Sequence, residues 1–278
     1  MRGLILAGGA ALAAMLAGTH VHADDKTAAQ QSEFRLLELG GRKVRWALPA
    51  GGLPATISYA FLTEPAQFPG ARNCDAMLPP EAALRDSRIS LPAFKQEVRA
   101  AFSVWEQAAN IVFKETNSVA DAGILIGADA KPRGRAFTNV ALREGSESGV
   151  DATRHTAAAM GAIRQSLICF NPQQPWKIGF NGDLDVYDVR FTMTHEIGHA
   201  IGLDHPSPEG QLMSFRYVEK ARGLQPGDIA GAVALYGGRG VGSAPRPADV
   251  PFVKAQTETP AGDRAFGLGE KMPDETQR

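Results

Sequence analysis

The sequence predicts an α+β fold, a twisted mixed sheet with helices packed on it. Two observations carry that prediction. Several β-type runs follow one another with few helices between them, and only three stretches show helical periodicity. The chain has 278 residues, 44% of them hydrophobic, which is enough for a real core. In order, residues 43–48 and 56–62 are β-rich with Gly and Pro between them, so both are expected as strands. Residues 63–90 hold many Pro, Ala and Asn residues and are expected as a long loop carrying Cys74. Ser90 is a good N-cap with Pro92 in the first turn. From there Phe94, Val98, Ala101, Phe102 and Trp105 recur at spacings of three and four, predicting an amphipathic helix that ends near Asn110. Residues 111–115, 123–127, 135–142 and 166–170 are further β-type runs, while 143–164 carry no clear signal. Residues 171–185, with Pro172, Pro175, Gly179 and Gly182, are expected as a loop. A second helix starts near Asp185 or Asp188 and reaches about Gly202; a third runs from Pro226 to Gly237. No internal repeat is visible.

The ends of the chain have their own signals. Residues 1–23 combine Arg2, an apolar Ala/Leu/Gly-rich stretch from Gly3 to about Gly18, and the small residues Val21 and Ala23 before Asp24. They predict a secretory signal peptide cut after Ala23, and so a secreted or periplasmic protein. The apolar stretch is short and weakly hydrophobic for a membrane span, and no later segment is long enough for one. Residues 24–42 are expected as a leader, 43–237 as one domain and 238–278 as a disordered tail. Cleavage removes His20 and His22 and leaves His155, His195, His199 and His205. Export also means an oxidising compartment, in which Cys74 and Cys169 can pair. Two cysteines exclude a disulfide-rich scaffold and a zinc site of four thiolates. A net charge of -1 leaves no electrostatic footprint for nucleic acid or an anionic membrane.

The chemistry lies in the second helix, His195-Glu196-Ile197-Gly198-His199-Ala200-Ile201-Gly202-Leu203-Asp204-His205. His195 and His199 are four apart, so they project from one helix face, one turn from each other. That spacing lets two imidazoles grip one zinc ion, with Glu196 within reach of a water on the metal. Gly202 lets the chain leave the helix through a conformation that costs any residue with a Cβ, which brings back His205 as a third ligand. Three protein ligands leave a fourth position open, as a catalytic zinc site requires. The five fixed positions make an ordinary helix with two surface histidines a poor account.

This extended motif resembles that of the metzincin metallopeptidases, and most closely the matrixins, the matrix-metalloproteinase-like branch. Leu212-Met213-Ser214, eight residues after His205, resembles the matrixin Met-turn, and Tyr217 is similar to a tyrosine often found there. The resemblance extends through residues 224–237 to the family's last helix. Ile57-Ser58-Tyr59 and Ala101-Phe102-Ser103-Val104-Trp105 resemble its first strand and first helix. It implies a metzincin (zincin-like) fold: a twisted, mainly parallel five-stranded sheet, three helices and a zinc cleft across the middle. It implies Met213 as a thioether floor beneath the imidazoles and Gly202 as structural support. Residues 135–142 become the edge strand along which substrate lies. Residues 215–224, with Tyr217, form the wall of the pocket beyond the cleavage site.

Departures from the family pattern narrow the expectation. Pro206 and Met213-Ser214-Phe215 look more like serralysins, but Phe215 cannot supply the tyrosine ligand that serralysins and astacins add. No Gly/Asp nonapeptide repeat follows the domain. The segment from Gly127 to Arg135 is too short for the matrixin structural-zinc loop, and Cys169 and Asn171 stand where matrixins tend to place metal ligands. One Zn2+ is therefore expected. Asn181, Asp183 and Asp185 resemble the start of a calcium loop, but position twelve would be Thr192. Turn and N-cap roles are expected for them; Ca2+ stays open by resemblance without a clear motif. Cys74 is expected in a disulfide with Cys169, the other reading being a thiol that caps zinc. His155 is expected to be solvent-facing or a minor structural contact rather than a ligand.

The functional expectation is a secreted or periplasmic zinc endopeptidase, a monomer that acts on protein or peptide substrates through metal-activated water with Glu196 as general base. The alternatives are a catalytically silent zinc-binding interaction module, against which an intact Glu196 argues, and hydrolysis of a non-peptide amide.

Overall fold

The computed structural model describes residues 34–143, 160–207 and 209–239. The signal-peptide and leader expectations up to residue 33, His155, and the tail beyond residue 239 lie outside these residues. The main sheet is built from parallel strands β4 (Ala55–Phe61), β7 (Ile111–Glu115), β8 (Ile124–Asp129) and β10 (Gly161–Phe170), in the order β7-β4-β8-β10. The antiparallel edge strand β9 (Ala136–Leu142) follows β10, with Thr138 opposite Ile168 and Leu142 opposite Ile163. These five strands form the mainly parallel arrangement that the resemblance implies, and shorter strands extend the sheet.

Side chains along the central strands alternate between two clusters, as the period of two in a strand requires. Ile124, Ile126, Ile168 and Phe170 face the large core with the helices. Leu125, Leu167 and Cys169 face a smaller cluster with Cys74, Ala60, Leu62 and Met77. Helices α1 (Glu81–Leu84), α2 (Leu91–Ala108), α3 (Val189–Ala200) and α4 (Pro226–Tyr236) follow, α1 being a single turn. The Ser90 hydroxyl caps α2 by accepting from Ala93 N–H at 3.3 Å, and its apolar stripe Phe94, Val98, Ala101, Phe102 and Trp105 is buried. Helix α2 packs along α3. Trp105 Nε1 donates to the Thr194 carbonyl at 2.8 Å, and the Arg190 guanidinium grips Glu97 through Nε (2.5 Å) and Nη2 (3.0 Å).

Two regions differ from expectation. The stretch 63–90 is not one loop: it carries the hairpin β5 (Ala66–Gln67) and β6 (Ala76–Leu78), then α1. Strand β6 forms because Met77 and Leu78 pair with Asp129 and Ala128 at the end of β8, and runs of two or three residues carry no period of their own. Strands also occur before residue 43. Strands β2 (Glu38–Leu39) and β3 (Arg42–Arg45) form a hairpin across Gly40 and Gly41. Ahead of it, β1 (Arg35–Leu36) pairs antiparallel with β13 (Leu203–Asp204), while β11 (Trp176–Lys177) and β12 (Tyr187–Asp188) pair parallel with each other. The β1–β13 pairing joins segments far apart in sequence, so no local pattern announces it, whereas the hairpin is local but its strands are only two and four residues long. Among the described residues no helix is long and apolar enough to cross a membrane.

Candidate metal centre

Helix α3 is positioned before it is functional. Asp188 caps it, its Oδ1 accepting from Phe191 N–H at 2.7 Å and its Oδ2 from Gly179 N–H at 2.5 Å. Nearly every α3 side chain is buried, so the helix runs through the middle of the molecule rather than over it. After Ala200 the chain turns away at Gly202, whose φ is +106°. A Cβ there would stand 2.3 Å from the Val44 carbonyl oxygen, so both the conformation and the space demand glycine. Strand β13 then leads to His205 and is held by β1, with Arg35 Nε 2.9 Å from Asp204 Oδ2 and Leu37 N–H donating to the Gly202 carbonyl at 2.8 Å. Asp204 Oδ1 accepts from His205 N–H at 2.8 Å.

The result is a near-equilateral triangle of imidazole nitrogens. His195 Nε2 lies 3.0 Å from His205 Nε2, and His199 Nε2 lies 3.1 Å from each of the others. His195 Nδ1 meets the Leu212 carbonyl and His199 Nδ1 the Leu203 carbonyl, each at 2.8 Å. A carbonyl only accepts, so both Nδ1 atoms carry a proton, which in a neutral ring leaves the lone pair on Nε2. Burial, with His199 beside it, pushes His195 well below the usual histidine range and His205 down to about 3. Both shifts favour the neutral form of His195 and His205, in which an imidazole can offer a lone pair to a metal ion. Among the described residues this is the only group of three or more metal-ligating side chains so gathered.

Around the triangle, Glu196 is buried, and its Oε2 accepts from the Thr138 hydroxyl at 2.7 Å, so edge strand β9 fixes the carboxylate. Met213 lies below. A Cβ on Gly198 would be 2.2 Å from Met213 Sδ and 3.0 Å from the Trp105 ring, so glycine between the two helical histidines is what lets the thioether approach. The turn carrying Met213 is tied down by the buried Asp228 on α4, which accepts from Leu212 N–H (2.8 Å), Met213 N–H (3.0 Å) and Gln225 N–H (2.7 Å). Burial raises the Asp228 pKa, partly offset by those three donors.

Tyr217 stands edge-on to Tyr187 and Phe191, with ring centroids 5.2 and 5.1 Å away. Its hydroxyl accepts from Asp188 N–H and donates to Glu219 Oε1, both at 2.8 Å. Glu219 also pairs with the buried Lys177 ammonium at 2.5 Å. That ammonium donates to Asn181 Oδ1 and the Asp183 carbonyl, and Asp183 Oδ1 accepts from Asp185 N–H. Oxygens of the segment that resembles a calcium loop therefore already meet a cation. Cys74 and Cys169 form a disulfide in the smaller cluster, across the sheet from the histidines. The Cys74 sulfur is therefore bonded there rather than capping the metal centre.

Sequence reasoning missed Thr138, Arg135, Lys177 and Asp228. Only Asp228 had a local signal, two residues after Pro226 at the third position of a helix, where its carboxylate completes a capping box with Gln225.

A family model described as matrixin matches residues 83–237. Metalloendoproteinase 1-MMP of Arabidopsis thaliana is 29% identical over 148 residues, 51% of this chain and 38% of that protein. Matrix metalloproteinase-16 of Homo sapiens is 24% identical over 165 residues, 54% of this chain and 25% of that protein. Metalloendoproteinase 1 of Glycine max is 27% identical over 188 residues, 64% of this chain and 55% of that protein. The chain thus spans between a quarter and about half of the length of these relatives.

Proposed function

The chain belongs to the matrixin family, and from that premise we propose that it is an exported zinc endopeptidase in which His195, His199 and His205 hold one zinc ion and Glu196 is the general base. The observation that carries this reading is the triangle of Nε2 atoms, 3.0–3.1 Å on each side. Three imidazole nitrogens gathered this closely, two of them on rings whose Nδ1 already donates to a carbonyl, form a site that a shared cation would hold together. Nitrogen donors of this kind suit zinc, and a set of three fits an open, catalytic site. The backbone carbonyls on the Nδ1 atoms of His195 and His199 supply the outer bonds that orient such ligands.

When bound, zinc supplies Lewis acidity, making a water more acidic and polarising the scissile carbonyl. The protein's own groups do the rest. The Thr138 hydroxyl aims the Glu196 carboxylate, which takes a proton from the attacking water and delivers it to the leaving amine nitrogen. Among the described residues β9 pairs with β10 alone, so its outer edge offers main-chain donors and acceptors to an extended substrate. Residues 215–224, with Tyr217, wall the pocket for the side chain that follows the cut. Residues 1–23 act as a signal peptide cut after Ala23, a leader precedes the catalytic domain, that domain ends at 237, and 238–278 is a tail. The Cys74–Cys169 bond supports an oxidising, secreted or periplasmic setting. The protein acts as a monomer on protein or peptide substrates.

The test is incubation of the purified mature protein with a peptide library, with and without a chelator. Cleavage is expected, abolished by the chelator and restored by zinc. Glu196→Gln should keep about one equivalent of zinc by elemental analysis yet lose roughly 10²- to 10⁴-fold in kcat. Undiminished hydrolysis by that variant removes Glu196 from the mechanism. A wild-type protein that binds zinc and cleaves nothing is instead a zinc-binding interaction module.

A further inference from the structure

Arg135 immediately precedes edge strand β9, three residues before the Thr138 that holds Glu196. Its guanidinium lies between the Phe215 carbonyl and the rings of Tyr187 and Tyr217. Nη2 donates to the Phe215 carbonyl at 3.0 Å, and Cζ lies 5.1 Å from the Tyr187 ring centroid and 5.5 Å from that of Tyr217. The Phe215 ring is itself 6.2 Å from His205 and 40% exposed. A fixed positive charge thus stands in the wall assigned above to the pocket beyond the scissile bond. It is half-buried, so substrate can reach it. Its charge also acts on Glu196, His195 and His205.

No carboxylate of the described residues forms an ion pair with this guanidinium; its partners are one carbonyl and two ring faces. Compare Arg190, which grips Glu97, and Arg35, which meets Asp204. A guanidinium held by aromatic rings has lost much of its water and keeps donors in a fork that matches a carboxylate. Arginine stays charged under these conditions, and the donors of its fork not used on the Phe215 carbonyl can take a carboxylate brought by substrate. The cleft is where a substrate would bring it.

We propose that Arg135 is a specificity-determining residue whose guanidinium takes a substrate carboxylate on the leaving-amine side of the scissile bond. The inference rests on the peptidase reading and on residues 215–224 as the pocket wall. The carboxylate has two sources with the same chemistry: an acidic side chain just after the cut, or the free C-terminus of a short product-side segment.

The experiment uses the full mature chain loaded with zinc and two peptide series. In the first, acetylated and amidated peptides differ only in the residue after the cut: Glu, Gln, Leu or Lys. In the second, Gln peptides end one to three residues beyond the cut, either as free acid or as amide. Wild type should favour Glu over Gln, or free acid over amide, by about 10- to 100-fold in kcat/KM, the range of one charge-assisted pair. The series that shows the ratio identifies the source. Arg135→Gln should bring that ratio close to one, and Arg135→Lys should keep part of it. Ratios within one variant cancel any general loss of activity. They do not depend on Arg135→Gln folding, because the wild-type series alone can overturn the proposal. Ratios near one in both series, with the Leu peptide still cleaved, overturn the role of Arg135 and leave the peptidase standing. No cleavage of any peptide by zinc-loaded protein overturns both.

Discussion

Gly198 shows how much the centre depends on the absence of an atom. It lies between the helical histidines, where a methyl group would meet Met213 Sδ at 2.2 Å and the Trp105 ring at 3.0 Å. The Met213 thioether has room to move, but Trp105 is fully buried and fixed through its Nε1 bond to Thr194. Gly198→Ala is therefore expected to cost about 1–3 kcal/mol, the usual range for overpacking a tight core. Thermal melting of the metal-free and zinc-loaded protein checks this, and an unchanged melting temperature would refute the packing argument. Residues of this kind are only partly legible in sequence. The spacing of His195, Glu196 and His199 follows from helical geometry, and Gly202 from the need to leave the helix. Gly198 looks like any glycine in a helix until the segment around Met213, far along the chain, arrives beneath it. Thr138 and Arg135 were silent for the same reason: one hydroxyl and one guanidinium gain meaning from what the sheet edge brings them beside.

Among elements, helices were the most legible and short strands the least. Ser90 and the stripe of apolar residues after it give α2 to within about two residues at its C-terminal end, because cap and periodicity are local. The strands of the two hairpins are too short to carry a period, and each hairpin is fixed in place by a distant partner, β3 on β10 and β6 on β8. The loop 215–224 is an intermediate case. Its resemblance suggests a pocket wall, but what fixes it is a buried polar knot in which Lys177, Glu219, Tyr217 and Asp188 meet. Burial pushes the Glu219 carboxyl up, yet the bonds from Lys177, from Gly182 N–H and from the Tyr217 hydroxyl outweigh it and hold the group below the ordinary glutamate range. A carboxyl with a depressed folded-state pKa contributes stability above its unfolded pKa and loses it as pH falls through the folded value. Glu219→Gln should thus lower stability at neutral pH, by on the order of 3 kcal/mol for a broken buried pair. The gap to wild type should close as the pH drops below the ordinary glutamate range. Melting curves from neutral to acid pH give the comparison, and parallel curves would show that the ion pair carries no such stability.

At the scale of the whole molecule, three long-range ties hold the cleft. The Cys74–Cys169 bond joins residues 95 apart in sequence and pins the 63–90 region to the central strand; bridges of this span typically contribute about 2–4 kcal/mol. Asp228 ties the last helix to the turn beneath the imidazoles. The third tie joins Arg35–Leu36 to Leu203–Asp204, directly before His205. From sequence, the domain is expected from residue 43, because the first strong strand signal begins there. Yet a chain trimmed to that point would keep every motif and lose the strand that steadies its third imidazole. Two truncations separate these views. A chain starting at residue 34 should hold zinc as the full protein does, and one starting at residue 43 should release it faster to a chelator, read as the rate of metal transfer to a chromogenic dye. Equal rates would make the first strand dispensable. If the rates differ, then how far an exopeptidase or a processing enzyme trims the front of this protein decides how long each molecule keeps its metal.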